Sequence, residues 1–206
     1  LKSYLSITIN IYSRGQGAGQ VVQNISVYTL QITGYNEDMI YLASDHAGFE
    51  LKEKLKDFLT IEGYKVEDCG AYEYDKDDDY PDFVSKAAEA VSKDPDNNRG
   101  IILGGSGQAE MMVANKYKGV RCALFYAAVA PVRAADINGR ISSDPYEMIR
   151  LTREHNNANM LSIGIRFVTD EEAAKVVKMW LEAPFPEHER HVRRIEKIKR
   201  IEKLEH

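Results

Sequence analysis

The chain has 206 residues, of which 44% are hydrophobic and 29% are charged, and its formal net charge at pH 7 is −5. This length fits one α/β domain with or without a small extension, and it excludes a large multidomain enzyme. The acidic balance argues against a general affinity for nucleic acid or for an anionic membrane, so any bound phosphate needs a local group of cations. No apolar run reaches the ~18 residues of a membrane span. Because Cys69 and Cys122 lie far apart and without metal spacing, we expect a reducing, cytoplasmic location.

Residues 1–38 form a segment of distinct composition, poor in charge and rich in Ser, Thr, Asn, Gln and β-branched side chains. Alternating apolar residues over 5–11 and a β-rich stretch at 25–32 predict two strands, joined as a hairpin across the glycine-containing loop 13–19. Two interpretations stay open for this segment, a native β-rich extension and a non-native leader.

The remainder, residues 39–206, is predicted as one α/β domain. Short apolar runs alternate with helical patterns, which is typical of a parallel sheet with helices on both faces. Strands are predicted at residues 41–43, 64–68, 100–103, 120–125 and 160–165. Helices are predicted from Leu51 to Gly63, over 81–93, around 111–114, from the cap at 169–172 to Leu181, and from Glu187. The acidic run 73–79 is interpreted as a solvated loop. The long connection 126–154 is predicted to hold two helices, broken near Asn138-Gly139.

Three polar segments are placed by this pattern near strand ends. Residues 45–48 follow the first strand, 104–110 follow the third, and 155–159 precede the fifth. Since ligands of open parallel sheets bind outside the carboxyl ends of the strands, we expect the three segments to lie together there.

The turn Gly104-Gly105-Ser106-Gly107 joins a buried strand to a helix. Its backbone N–H groups can form an anion site at the helix N-terminus, but a turn that only permits close packing is equally common. Glu110, in the first turn of that helix, is either a proton acceptor aimed at the anion or a side chain that complements the helix dipole.

Two histidines and an arginine pair are further candidates. His46 and His155 each stand beside a carboxylate near a strand end, which favours a functional site over a structural one. Arg190 and Arg194 are one helical turn apart and can grip a phosphate together, whereas an ordinary solvated helix face is favoured by the charge pattern alone.

Together these motifs resemble ribose-5-phosphate isomerase B and the related galactose-6-phosphate isomerases, from residue 39 to about residue 198. The motifs that carry the resemblance are Asp45-His46-Ala47-Gly48, Tyr80-Pro81, Gly105-Ser106-Gly107, Ala114-Asn115-Lys116, Gly119-Val120-Arg121-Cys122-Ala123, Arg153-Glu154-His155-Asn156-Asn157-Ala158-Asn159 and Arg190-His191-Val192-Arg193-Arg194-Ile195.

The resemblance implies a Rossmann-like, three-layer α/β/α domain with a five-stranded parallel sheet. In this chain the N-terminal β-type extension precedes that domain as an addition. The resemblance also implies a metal-free and cofactor-free aldose–ketose isomerisation through a cis-enediolate, in a homodimer or dimer of dimers with sites at the subunit interface. Many members carry a catalytic cysteine just before the glycine turn, where this chain has Gly104. A second branch uses a glutamate a few residues later, and Glu110 stands at that place.

The resemblance implies a role for each candidate residue. Glu110 would be the base, His155 would assist ring opening, and Asp45 would contact the ring oxygen. The residues that would hold the substrate hydroxyls, ring and anion are Ser106, Asn156, Tyr80, Gly105 and Gly107, and those that would bind the phosphate are His46, Arg166, Arg190 and Arg194.

The expected reaction is the interconversion of ribose 5-phosphate and ribulose 5-phosphate. The alternatives are isomerisation of a six-carbon sugar phosphate such as galactose 6-phosphate or allose 6-phosphate, and a non-catalytic sugar-phosphate binding module. The family usually has a single short helix where this chain has the longer connection 126–154, so this segment is a departure that bears on the identity of the sugar.

Overall fold

The computed structural model describes residues 39–203 and, before them, the backbone of two short strands. These strands, β1 (Leu5–Thr8) and β2 (Thr29–Ile32), pair in antiparallel orientation, as the sequence predicts. The predicted glycine-containing loop at residues 13–19 lies outside the described residues.

The unit from Glu37 onward is built on a five-stranded sheet. Its strands are β3 (Met39–Ser44), β4 (Lys65–Asp68), β5 (Arg99–Gly104), β6 (Cys122–Phe125) and β7 (Met160–Gly164). The spatial order is β4-β3-β5-β7-β6, and every neighbouring pair is parallel. The predicted five-stranded parallel sheet is confirmed, with strand ends that differ by one or two residues.

Residues 39–203 form six α-helices and one short 3₁₀ helix, and the last two α-helices and the 3₁₀ helix follow the final strand. They are α1 (Phe49–Ile61), α2 (Pro81–Lys93), α3 (Gln108–Ala114), α4 (Glu147–Asn156), the 3₁₀ turn Ile165–Phe167, α5 (Asp170–Glu182) and α6 (Glu189–Ile201). Helix α5 begins where predicted, because the Thr169 side chain accepts the N–H of Glu172 and so satisfies a free donor of the first turn.

The sheet separates two hydrophobic cores, which makes the domain three-layered. Successive side chains of a strand point to opposite faces, so Leu42 and Ile101 pack against one core while Ala43 and Ile102 pack against the other. Helices α1, α4 and α5 cover the first core, and α2 and α3 cover the second. The predicted α/β/α architecture is therefore confirmed.

The connection after β6 is irregular until α4 begins, so the prediction of two helices in it is wrong. A turn at residues 135–140 takes the place of the first predicted helix. Asp136 Oδ1 accepts the N–H groups of Asn138 (2.8 Å) and Arg140 (3.1 Å), and Gly139 has a φ of 82°. The local turn chemistry of Asp and Gly outweighs helix formation in this segment.

The chain reverses its direction of travel across the sheet between β3 and β5. From β3 it crosses to β4 on one side, and it then returns to β5 on the other side of β3. Such a reversal opens a crevice at the carboxyl ends of the two central strands, which is where α/β proteins bind ligands. In the part of the chain that the structure describes, every helix is too short or too polar to cross a bilayer.

Candidate active site

Glu110 lies at the carboxyl end of β5, in the first turn of α3, with only 4% of its surface exposed. Its Oε2 atom is buried and has no hydrogen-bond partner among the described residues. Burial raises the pKa of Glu110, the charge of Asp45 raises it further, and Arg166 opposes the shift. A buried carboxylate with a raised pKa and one oxygen free of hydrogen bonds is the arrangement expected of a proton acceptor.

Gly104 makes room for this carboxylate. A Cβ atom built on Gly104 would lie 1.8 Å from Oε1 and 2.1 Å from Cδ of Glu110. Any side chain at position 104 would therefore occupy the space that Glu110 fills. This contact explains in physical terms why a glycine accompanies the glutamate here.

Asp45 stands directly after β3 and is 7% exposed. Its Oδ1 atom accepts the N–H of Ala47 at 3.0 Å, which fixes the carboxylate in the turn before α1. Its charge acts on Glu110, so the two buried acids share one end of the sheet.

His46 is held by Asp78, from the loop between β4 and α2. The Asp78 Oδ1 atom accepts the backbone N–H of His46 at 2.9 Å and lies 2.7 Å from His46 Nδ1. This side-chain hydrogen bond raises the pKa of His46, which favours the imidazolium form that a phosphate would attract. Potential ligand atoms of Asp45, His46 and Asp78 lie within 4.8 Å of one another.

The Gly105–Gly107 turn lies beside Arg166, which follows β7 in the 3₁₀ turn. The backbone N–H of Arg166 donates to the Gly105 carbonyl at 3.2 Å, and a Cβ on Gly105 would lie 2.8 Å from the guanidinium carbon. Gly107 has a φ of 71° and directly precedes α3, and the Ser106 hydroxyl accepts the N–H of Gln108 at 3.4 Å. The turn thus places its backbone N–H groups next to the exposed guanidinium of Arg166.

Tyr80 precedes α2, two residues after Asp78. It is half-buried, and its side chain packs against the core under α2 and α3. Tyr80 therefore lies at the same carboxyl-end edge of the sheet. We refer to Asp45, His46, Tyr80, Ser106, Glu110 and Arg166 as the Glu110 group.

The remaining predicted residues lie at the opposite edge of the sheet. The prediction that segments 45–48, 104–110 and 155–159 lie together is therefore wrong within a single chain. His155 is near the end of α4, just before the amino end of β7, whereas Arg166 follows the carboxyl end of that strand. Five residues of strand separate the two positions by roughly 15 Å. A residue that precedes a parallel strand cannot share an edge with residues that follow its neighbours. We refer to His155, Asn156, Arg190 and Arg194 as the His155 group.

His155 faces a cleft of about 550 Å³. One wall is the turn containing Asp136, Asn138 and Arg140, and the other is the start of α6 with Arg190. Burial lowers the pKa of His155, Glu154 opposes this shift, and Arg190 and Arg140 add to it. The imidazole is therefore neutral near pH 7 and able to accept a proton.

Arg190 and Arg194 both lie on α6, as predicted. Within residues 39–203 neither is paired with a carboxylate, although Arg193 on the same helix lies 3.8 Å from Glu189. Two unpaired arginines one turn apart favour the anion-binding interpretation over a neutralised helix face. Asn156 is exposed. Its backbone carbonyl accepts the Nε–H of Arg121 at 3.1 Å, so this contact does not occupy the side-chain amide, which can meet a ligand.

A family model described as Ribose/Galactose Isomerase matches residues 40–141 and 129–198. The chain belongs to this family. The overlap of the two matched segments, 129–141, falls in the irregular connection that the sequence marks as longer than usual. The resemblance on which the site residues were predicted is thereby confirmed.

Relatives and solved structures in the ribose/galactose isomerase family agree with this assignment. Ribose-5-phosphate isomerase B of Mycolicibacterium paratuberculosis is 43% identical over 156 residues, which are 76% of this chain and 86% of the relative. The crystal structure of ribose-5-phosphate isomerase B from Mycoplasma genitalium with bound ribulose-5-phosphate has a TM-score of 0.70 and 39% identity, and covers 81% of this chain and 97% of its own. The enzyme of Clostridium thermocellum has a TM-score of 0.66 and 38% identity, over 80% of this chain and 97% of its own.

Three residues of this family member contribute to the two groups without having been predicted. Asp78 was assigned to a solvated loop, yet its side chain is 9% exposed and bonded to His46, a contact between residues 32 positions apart. Arg140 reaches from the turn to Glu147 at 2.5 Å, so it anchors the wall of the His155 cleft. The third residue is His191, whose ring packs on that of His155. No local sequence pattern signals the contacts of Asp78 and His191, because their partners lie more than 30 positions away in the chain.

Proposed function

We propose that the chain is an aldose–ketose isomerase that interconverts D-ribose 5-phosphate and D-ribulose 5-phosphate through a cis-enediolate, without a metal. The observation that carries this proposal is the buried carboxylate of Glu110 beside the Gly105–Gly107 turn, whose Oε2 atom has no hydrogen-bond partner among the described residues. The names of the relatives support the five-carbon substrate, and so does the ribulose-5-phosphate bound to the Mycoplasma genitalium protein.

The chemistry follows from what each group can do. Glu110 removes the proton from C2 of the open aldose, and the C1 carbonyl oxygen gains negative charge as the enediolate forms. The N–H groups of the Gly105–Gly107 turn donate to that oxygen and stabilise it. Glu110 then returns the proton to C1, and the hydroxyl proton of O2 passes to the neighbouring O1, so that C2 becomes the carbonyl carbon and C1 carries the alcohol. A raised pKa suits this task, because the same carboxyl must accept the proton and release it.

The ring must open before that proton can move. We assign this step to His155, which transfers a proton at the furanose oxygens, with Asp45 on the ring oxygen. Ser106, Asn156 and Tyr80 would contact the sugar. The phosphate ligands would be His46, Arg166, Arg190 and Arg194.

These roles require the two groups to meet, although they lie at opposite edges of the sheet in one chain. We therefore propose a homodimer in which the His155 group of one copy completes the Glu110 group of the other. Each copy would then contribute to two equivalent sites, as expected for a two-fold symmetric interface. Arg190 and Arg194 support this arrangement, since neither forms an ion pair with a carboxylate of residues 39–203.

We also propose a cytoplasmic location. Cys69 and Cys122 are both buried free thiols, which suits a reducing compartment.

The test of the proposed reaction is exchange of the C2 proton of ribose 5-phosphate with deuterated solvent, followed by NMR in the presence of EDTA. Wild-type protein should exchange the proton and form ribulose 5-phosphate at a rate that the chelator does not change. No exchange would indicate a non-catalytic binding module, and loss of the rate in EDTA would indicate a metal enzyme. Faster turnover of a six-carbon sugar phosphate under the same conditions would refute the five-carbon assignment.

A further inference from the structure

His191 stacks on His155. The two imidazole rings are nearly parallel, with an angle of 12° between their planes and 4.3 Å between their centroids. His191 belongs to α6 and His155 to α4, so the stack joins two helices. No other imidazole of the described residues packs face to face on a second ring.

His191 is buried, although most of helix α6 is exposed to solvent. Helix α6 has two buried residues, His191 at 4% exposure and Ile195 at 7%, and the rest of the helix is largely solvated. An aliphatic side chain such as that of Ile195 would suffice to anchor the helix by burial alone. A flat ring adds a surface that restricts the rotation of the imidazole lying on it.

Charged groups surround the stack on both sides. From α4 and the preceding turn, Glu154, Asp136 and Arg140 act on His155, and from α6 Arg190 does so. Burial lowers the pKa of His191. Repulsion from His155, when that ring is protonated, and from the neighbouring Arg190, Arg194 and His188 lowers it further. Both rings are therefore neutral near pH 7, and a stack of neutral rings persists there.

We propose that His191 is a positioning residue for ring opening: by stacking on His155, it fixes the plane in which that imidazole meets the furanose oxygens. The proposal rests on the proposed function of His155. A displacement of about 1 Å or a rotation out of plane would break the short hydrogen bond that proton transfer needs, at a cost of up to ~10²-fold in rate. His191 itself does not touch the substrate in this role.

The experiment compares His191→Ala, His191→Phe and His155→Asn on two substrates. Ribose 5-phosphate is mostly cyclic and needs ring opening, whereas a four-carbon aldose phosphate is acyclic and does not. We expect His191→Ala to lower kcat for ribose 5-phosphate by about tenfold to a hundredfold and to spare C2 proton exchange in the four-carbon substrate. His191→Phe keeps a flat ring against His155 and should restore most of the rate.

Two controls separate positioning from folding. Ile195→Ala removes the other buried side chain of α6 and should lower the melting temperature without a substrate-selective loss. In the His155→Asn background, His191→Ala should cause no further loss, because both changes then act through one step.

The outcomes distinguish this inference from the function on which it rests. Equal losses on both substrates, an unchanged rate for His191→Ala, or an additional loss in the double variant would overturn the role of His191 while leaving His155 in place. If His155→Asn itself shows no selectivity for the cyclic substrate, both the ring-opening role and the positioning role are wrong.

Discussion

Replacing Gly104 with alanine places a methyl group in the space that the Glu110 carboxylate occupies. The new Cβ atom would lie 1.8 Å from Oε1, 2.1 Å from Cδ and 2.7 Å from Cγ of Glu110. Carbon atoms are in comfortable contact at about 3.5 Å, so the carboxylate must move by at least about 1.5 Å. Because a misplacement of about 1 Å can cost ~10²-fold, and loss of a general base costs ~10²–10⁴-fold, we expect kcat to fall within that range.

The clashing atoms are at the end of a flexible side chain, so the fold should survive the Gly104→Ala change. The assay is steady-state isomerisation of ribose 5-phosphate, together with binding of a sugar-phosphate analogue, which should remain close to wild type. Gly105→Ala is the matched control. Its Cβ would meet the Arg166 guanidinium carbon at 2.8 Å, so it should raise KM through the phosphate while kcat changes less. A Gly104→Ala variant with near-normal kcat would refute the placement of Glu110 as the base.

Three further predictions follow from the electrostatics. Because burial raises the pKa of Glu110, its contribution to the stability of the native state is complete at low pH and is lost as the pH rises through that pKa. Glu110→Gln should therefore raise the melting temperature at pH 8 but not at pH 4. Equal shifts of the melting temperature at both pH values would contradict this prediction. Asp78→Asn removes the negative charge of the group that is hydrogen-bonded to His46 and raises its pKa, so KM should increase about tenfold at pH 8 and less at pH 6. A pH-independent change would show that His46 does not bind phosphate as a cation. Iodoacetamide should leave activity intact, since burial raises the pKa of Cys69 to about 11 and that of Cys122 further; inactivation would point to a thiol base.

The sheet and the Glu110 group could be predicted because their signals are local. Alternating apolar residues mark the strands, and a strand that runs into glycines followed by a first-turn glutamate marks the loop. The carboxyl ends of parallel strands then bring Glu110 and Asp45 to one edge without further information. The space for Glu110 at Gly104 is a three-dimensional consequence of that same turn.

The position of the His155 group could also have been predicted, because a residue before a parallel strand lies at its amino end. The two ends of a parallel strand are not equivalent, since only the carboxyl ends meet at the edge where Glu110 lies. Other contacts have no local signal in the sequence. Asp78 contacts His46 from the β4–α2 loop, and His191 contacts His155 from another helix. The turn at Asp136 replaced a predicted helix, since side-chain hydrogen bonds to the backbone outweighed helix propensity there.

In the proposed homodimer, one active site combines Glu110 of one copy with His155 of another. The most direct test of this arrangement is to co-express the Glu110→Gln and His155→Asn variants with different tags and to purify the mixed dimer. Each variant alone has a defect in every site, whereas a mixed dimer with shared sites has one doubly defective site and one intact site. We expect about half the wild-type turnover of ribose 5-phosphate per mixed dimer. A mixed dimer no more active than the two parent variants would show that Glu110 and His155 do not act in a site shared between copies.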